Sequence, residues 1–110
     1  MNKPLFREMR LVVMYDLPTK SDKDKKNYQK FRQNLIKIGF VQAQESIYVK
    51  HCTNPDHVNR TILKIDKFAP EIGDIRLLSI TEKQYLRIMQ LRGEKSLDEQ
   101  NLTNDSLVII

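Results

Sequence analysis

Residues 10–15 read Arg-Leu-Val-Val-Met-Tyr, and this run limits the possible folds more than any other feature. After Arg10 it is apolar on both alternations and rich in β-branched side chains, so a strand built from it must be covered on both faces. Such a strand belongs inside a sheet, and the rest of the chain has to supply its neighbours and a covering layer. Asp16-Leu17-Pro18-Thr19 ends the run.

The covering layer is legible further on. Ser21 stands three residues before Asp24, as in a capping box. Tyr28, Phe31, Leu35 and Ile38 then recur at helical spacing and form a core face. Gly39 supplies a left-handed stop, and Phe40 can fold back an apolar contact. Residues 40–51 are extended but hold no Gly, Pro or Asn to mark a turn. They read either as one strand bent by a bulge near Glu45-Ser46 or as two short strands meeting there. Asn54-Pro55 caps a second helix, with Val58, Ile62, Ile65 and Ala69 on its apolar face and Pro70 at its end. Asp74 to Thr81 reads as a strand, Glu82-Lys83-Gln84 as a short turn, and Leu86 to Leu91 as another strand ended by Gly93.

This order predicts an α+β fold, a ferredoxin-like βαββαβ sandwich with an extra C-terminal strand and both helices on one sheet face. The 110 residues form one domain, being too few for two independent cores. Its core spans 9–93, a polar connector 94–105 and a C-terminal strand 106–110. An uncovered sheet face and an apolar tail predict a homodimer, with Leu107, Val108 and Ile109 joining a partner's sheet edge.

Nineteen Lys and Arg against 14 Asp and Glu give a net charge of +5, and the excess is local. Between residues 20 and 37 stand Lys20, Lys23, Lys25, Lys26, Lys30, Arg32 and Lys37, against only Asp22 and Asp24. Lys23, Lys26, Lys30 and Lys37 share one side of the first helix, opposite its apolar face. Together with Lys20 they read as a phosphate-contacting ridge or as a solvated helix face. No apolar run approaches the roughly 20 residues of a membrane span, and no signal-peptide core opens the chain, so a cytoplasmic protein without membrane contact is expected. The single cysteine, Cys52, excludes an intrachain disulfide and a multi-cysteine zinc site; it reads as a buried or loop thiol. His51 and His57 lack ligand spacing and read as incidental. Arg76, Arg87 and Arg92 fall on the late strands, available to nucleic acid or to a partner.

Four segments, in order, resemble the CRISPR-associated protein 2 family, the small subunit of the spacer-acquisition complex. Met14-Tyr15-Asp16-Leu17-Pro18 is similar to the family's aromatic-Asp strand ending, and a basic helix follows it. Gly39-Phe40 and then Gln44-Glu45-Ser46-Ile47-Tyr48-Val49 resemble its Gln-x-Ser-Val-aromatic strand. Ile80-Thr81-Glu82-Lys83-Gln84 resembles its Thr-Glu-x-Gln turn, with Leu91-Arg92-Gly93 beyond, most like members that accompany Cas9-type systems. The resemblance implies a prokaryotic cytoplasmic homodimer whose C-terminal strands exchange onto the partner sheet. It also implies a complex in which two dimers of the integrase, CRISPR-associated protein 1, flank that homodimer along double-stranded DNA, with other proteins of a Cas9-type adaptation complex as possible associates. Gln44, Ser46 and Tyr48 of the matched strand are then expected at the dimer or partner contact.

The same resemblance offers an enzymatic alternative, a magnesium-dependent endonuclease acting on RNA or DNA. In it Asp16 of each protomer is the metal ligand and catalytic group, meeting its twin near the twofold axis. The residues alone leave Asp16 able instead to cap the loop into the first helix or to hydrogen-bond across the dimer axis, and no nearby carboxylate matches the family motif as a further ligand. A related small toxin nuclease would share the opening strand but not the Thr-Glu-Lys-Gln segment. RNA recognition through a pair of exposed strand aromatics is disfavoured, since no strand here carries them.

Overall fold

The computed structural model describes residues 7–94. Four strands, β1 (Met9–Asp16), β2 (Val41–Gln44), β3 (Ile47–Cys52) and β4 (Asp74–Thr81), form one antiparallel sheet in the order β2-β3-β1-β4. Helices α1 (Asp22–Lys37) and α2 (Pro55–Phe68) cross over between them. The doubly apolar run is therefore a central strand, pairing with β3 from Met9↔Cys52 to Met14↔Ile47 and with β4 from Met9↔Thr81 to Asp16↔Asp74. This βαββαβ arrangement is the ferredoxin-like sandwich that the sequence predicts.

One face of β1 carries Leu11, Val13 and Tyr15 into a core shared with Phe31 and Leu35 of α1, Tyr48 and Cys52 of β3, and Val58 and Ile65 of α2. Both helices thus cover the same side of the sheet. Tyr15 is the hub of an aromatic group, with ring centroids 5.0 Å from Phe31, 5.8 Å from Tyr28 and 6.1 Å from Tyr48. Burial, and then the neighbouring Tyr48 and Tyr28, push its hydroxyl above the ordinary tyrosine range.

The helix ends form where their residue types dictate. Ser21 Oγ accepts from the Asp24 N–H at 3.0 Å while Asp24 accepts from the Ser21 N–H at 3.2 Å. Gly39 takes φ +107°, and the Phe40 N–H returns to the Leu35 carbonyl at 3.0 Å, which seats Phe40 in the core. Asn54 caps α2 by accepting from the His57 N–H at 2.8 Å, with Pro55 in the first turn.

Segment 40–51 takes the second of its two readings, and the single bent strand does not form. Two strands meet in a turn at Glu45-Ser46, and their register also shifts between Gln42 and Gln44. The expected strand over Leu86–Leu91 does not form. Thr81 instead caps a one-turn helix, α3 (Glu82–Tyr85), through a reciprocal bond with Gln84. The turn continues with Leu86 N–H to Glu82 O and Ile88 N–H to Tyr85 O. Backbone donors bonded within a helical turn cannot join a ladder, so Arg87 and Arg92 lie on irregular chain instead of a strand. The C-terminal strand predicted over 106–110, with Leu107, Val108 and Ile109, lies outside the described residues, as does nearly all of the 94–105 connector.

Candidate functional site

The lysines of α1 make the first candidate surface. At about 100° per residue, Lys23, Lys26, Lys30 and Lys37 fall within roughly 60° of one another around the helix. All four are exposed, as is Lys20 in the loop before it. Phe31 and Leu35 hold the opposite side of α1 against the sheet, so the ammonium groups form a straight stripe facing outward. Lys25 does not belong to the stripe, being turned from it by roughly 130°.

Lys25 instead lines the second candidate site, a cleft of about 290 Å³ where β1 ends. Asp16, Leu17, Thr19, Tyr28, Gln29, Glu45 and Ser46 complete its walls. Asp16 reaches it because β1 stops there with its carboxylate exposed. The β2–β3 turn is held alongside by a bond from the Tyr15 N–H to the Ser46 carbonyl, 3.1 Å long. Gly73, with φ +116°, fixes the other flank: a Cβ there would stand 2.5 Å from Leu17 Cδ2 and 3.1 Å from the Asp16 carbonyl oxygen. Across the strands Asp16 faces Asp74, which Arg76 neutralises through two bonds of 3.0 and 3.1 Å. That guanidinium holds the Asp74 carboxyl below its usual range.

The cleft therefore joins Asp16 and Ser46, both expected from the sequence, to Glu45 and Lys25, which the sequence reading did not select as site residues. Two carboxylates with a hydroxyl and an ammonium nearby suit a hard, hydrated divalent cation and a phosphate oxygen. Gln44 is exposed at the end of β2, next to the turn, whereas Tyr48 is fully buried in the chain's own core, out of direct reach of any partner.

At the other end of β1, about 20 Å away by the rise of an extended strand, a third group of side chains gathers. Arg10 is buried and donates to both carboxylate oxygens of Glu82, at 2.5 and 2.8 Å, with its guanidinium 4.6 Å from the centre of the Tyr85 ring. His51 Nε2 lies 2.8 Å from Glu8 Oε1. His57 is separate from it, its Nδ1 accepting from the Thr53 N–H at 3.1 Å. Cys52 is buried, and that burial raises its thiol pKa.

The remaining exposed feature is apolar. Among the described residues β4 pairs only with β1, and its Leu77 and Leu78 are solvent-accessible. Leu86, Ile88, Met89 and Leu91 follow in the same state, Leu91 at 92% exposure. No helix among the described residues is long and apolar enough to cross a membrane.

The profile of the family described as CRISPR associated protein Cas2 matches residues 9–88, from the first residue of β1 to just beyond α3. The chain belongs to the Cas2 family. A protein from Ligilactobacillus salivarius named CRISPR-associated endoribonuclease Cas2 is 37% identical over 101 residues, 92% of this chain and 100% of the relative. Proteins of the same name from Campylobacter jejuni and Streptococcus mutans are 41% and 37% identical, covering 86% and 92% of this chain and 70% and 91% of theirs. A solved structure titled "Crystal structure of cas2" superposes with a TM-score of 0.57 at 13% identity, over 94% of this chain and 97% of that one. It shares the fold. Membership of Cas2 makes this a CRISPR-associated protein, and its sandwich is the architecture of that solved structure.

Proposed function

We propose that this Cas2 chain is the duplex-binding subunit of CRISPR adaptation. Its homodimer grips double-stranded DNA without reading bases and bridges dimers of CRISPR-associated protein 1 during spacer acquisition. The observation that carries this is the outward stripe of Lys23, Lys26, Lys30 and Lys37. Ammonium groups on a helix surface meet phosphates and carry no sequence information, as captured DNA of arbitrary sequence requires. Two copies bring 2 × 5 = +10. The exposed apolar edge of β4 and the segment after it supply a surface for the second protomer. The test is Lys26→Glu with Lys30→Glu, read by fluorescence anisotropy on two unrelated duplexes. Affinity should fall for both alike, and four lost phosphate contacts per dimer should flatten the salt slope by about 3 to 4, with the dimer intact by sedimentation. Unchanged binding would overturn the reading.

A second reading is favoured by the cleft and by the name endoribonuclease carried by the relatives. In it the chain is a magnesium-dependent endonuclease with Asp16 of each protomer as ligand. Asp16 and Glu45 would hold the ion, and Lys25 would meet a phosphate oxygen. When bound, Mg²⁺ supplies a polarised water and charge stabilisation. Asp16→Ala should abolish Mg²⁺-stimulated RNA cleavage by rigorously purified protein while the circular dichroism spectrum is retained. Cleavage that persists in the variant overturns Asp16 as the catalytic ligand and points to contamination or another site.

A further inference from the structure

We propose that Glu8, His51 and Glu82 form a second metal site, for an ion of the zinc class, at the end of the sheet remote from Asp16. Glu8 precedes β1, His51 lies on β3 and Glu82 opens α3, so the three come together only because β1 runs between β3 and β4. Their ligand atoms all lie within 4.8 Å of one another. Around one ion with bonds near 2.0–2.2 Å, ligands stand roughly 3.0 to 3.6 Å apart. His51 Nε2 and Glu8 Oε1 stand at a hydrogen-bonded 2.8 Å, the imidazole N–H donating to the carboxylate; an ion would replace that shared proton, and the exposed Glu8 side chain can open the spacing to the ligand distance.

The donor set selects the ion. One imidazole nitrogen with two carboxylates suits Zn²⁺, Co²⁺ or Ni²⁺, whereas Mg²⁺ prefers oxygen ligands and retained water. Arg10 acts here as the outer partner that fixes a ligating carboxylate. It binds both Glu82 oxygens, yet each oxygen keeps a further lone pair for a metal. An ion there would tie three separate segments together, including the turn that launches the exposed apolar stretch from Leu86 onward.

The test uses the full chain stripped with chelator and titrated with Co²⁺ and with Zn²⁺, followed by visible absorption and calorimetry. One ion should bind per chain, without the sulfur-to-cobalt charge-transfer band that Cys52 ligation would produce, and zinc should raise the melting midpoint. His51→Ala and, separately, Glu8→Gln should each weaken binding at least tenfold; Glu8 is exposed, so its variant keeps the fold. His57→Ala should bind as the parent chain does. No saturable binding by the parent chain, binding undiminished in both site variants, or binding lost with His57 overturns the site. None of these outcomes depends on whether Asp16 holds magnesium.

Discussion

At the residue scale, His57 shows how a polar group can be both useful and costly. Its Nδ1 accepts a hydrogen bond from the Thr53 backbone at the mouth of α2, which requires that nitrogen to be unprotonated. Partial burial, and then the neighbouring Lys50, Arg60, His51 and Lys64, lower its pKa from the ordinary value. The unfolded chain therefore binds this proton more readily than the folded one, and folding stability falls as pH drops through the ordinary histidine pKa of about 6.5 toward the lowered value. Above that window the group costs nothing. Urea midpoints measured from about pH 7.5 down to about pH 5.5 should decline more steeply for the parent chain than for His57→Gln. Equal slopes would show that the shift contributes no measurable linkage. Lys50, Arg60 and Lys64 around this one α2 histidine mark positive charge beyond α1, and sequence spacing alone did not show that they converge.

Elements were legible wherever a local pattern dictated them. The doubly apolar run of β1, the Ser21 box, the Gly39 stop and the Asn54-Pro55 cap each depend on neighbours within a turn, and each stands where the pattern put it. The Glu45-Ser46 turn carries no glycine to announce it. Leu86 to Leu91 has the composition of a strand, but the preceding Thr81–Gln84 cap commits the backbone to a helical turn. Glu45 beside Asp16, and His51 beside Glu8, were illegible for another reason: strand order brings them together, and periodicity does not encode strand order. What fastens α3 to the sheet is Arg10, a charge on the central strand that is buried yet held by Glu82 and covered by Tyr85. Replacing it with Met keeps the volume but leaves Glu82 without its charged partner. Removing one member of a buried pair typically costs 3–5 kcal/mol. Water can reach Glu82, whose side chain is 27% exposed, so a loss of about 3 kcal/mol, at the lower end, is expected in urea unfolding. A loss under about 1 kcal/mol would mean that the pair behaves as a surface bridge.

For the whole molecule, the decisive quantity is how much apolar surface one chain leaves uncovered. Val12 and Met14 lie on the sheet face away from the helices and are only partly buried. Leu78 beside them is 48% exposed, and Leu86, Ile88, Met89 and Leu91 extend the same character along the chain. Scattered single leucines need no explanation, but a row of this length beside a sheet edge is the signature of an association surface. A second copy is the occupant that the duplex-binding reading requires, since pairing doubles the positive charge and sets two lysine stripes on one object. The parent chain should therefore sediment as a dimer at micromolar concentration. Leu78→Lys with Met89→Lys should shift it toward monomer while the circular dichroism spectrum is kept, because both side chains are exposed in the isolated chain. Duplex affinity should fall with the dimer and return when two copies are joined covalently by a flexible linker, since linkage restores the second stripe at high effective concentration. A parent chain that stays monomeric, or a monomeric variant that binds duplex as tightly as the parent, would leave each stripe acting alone and remove the bridging role.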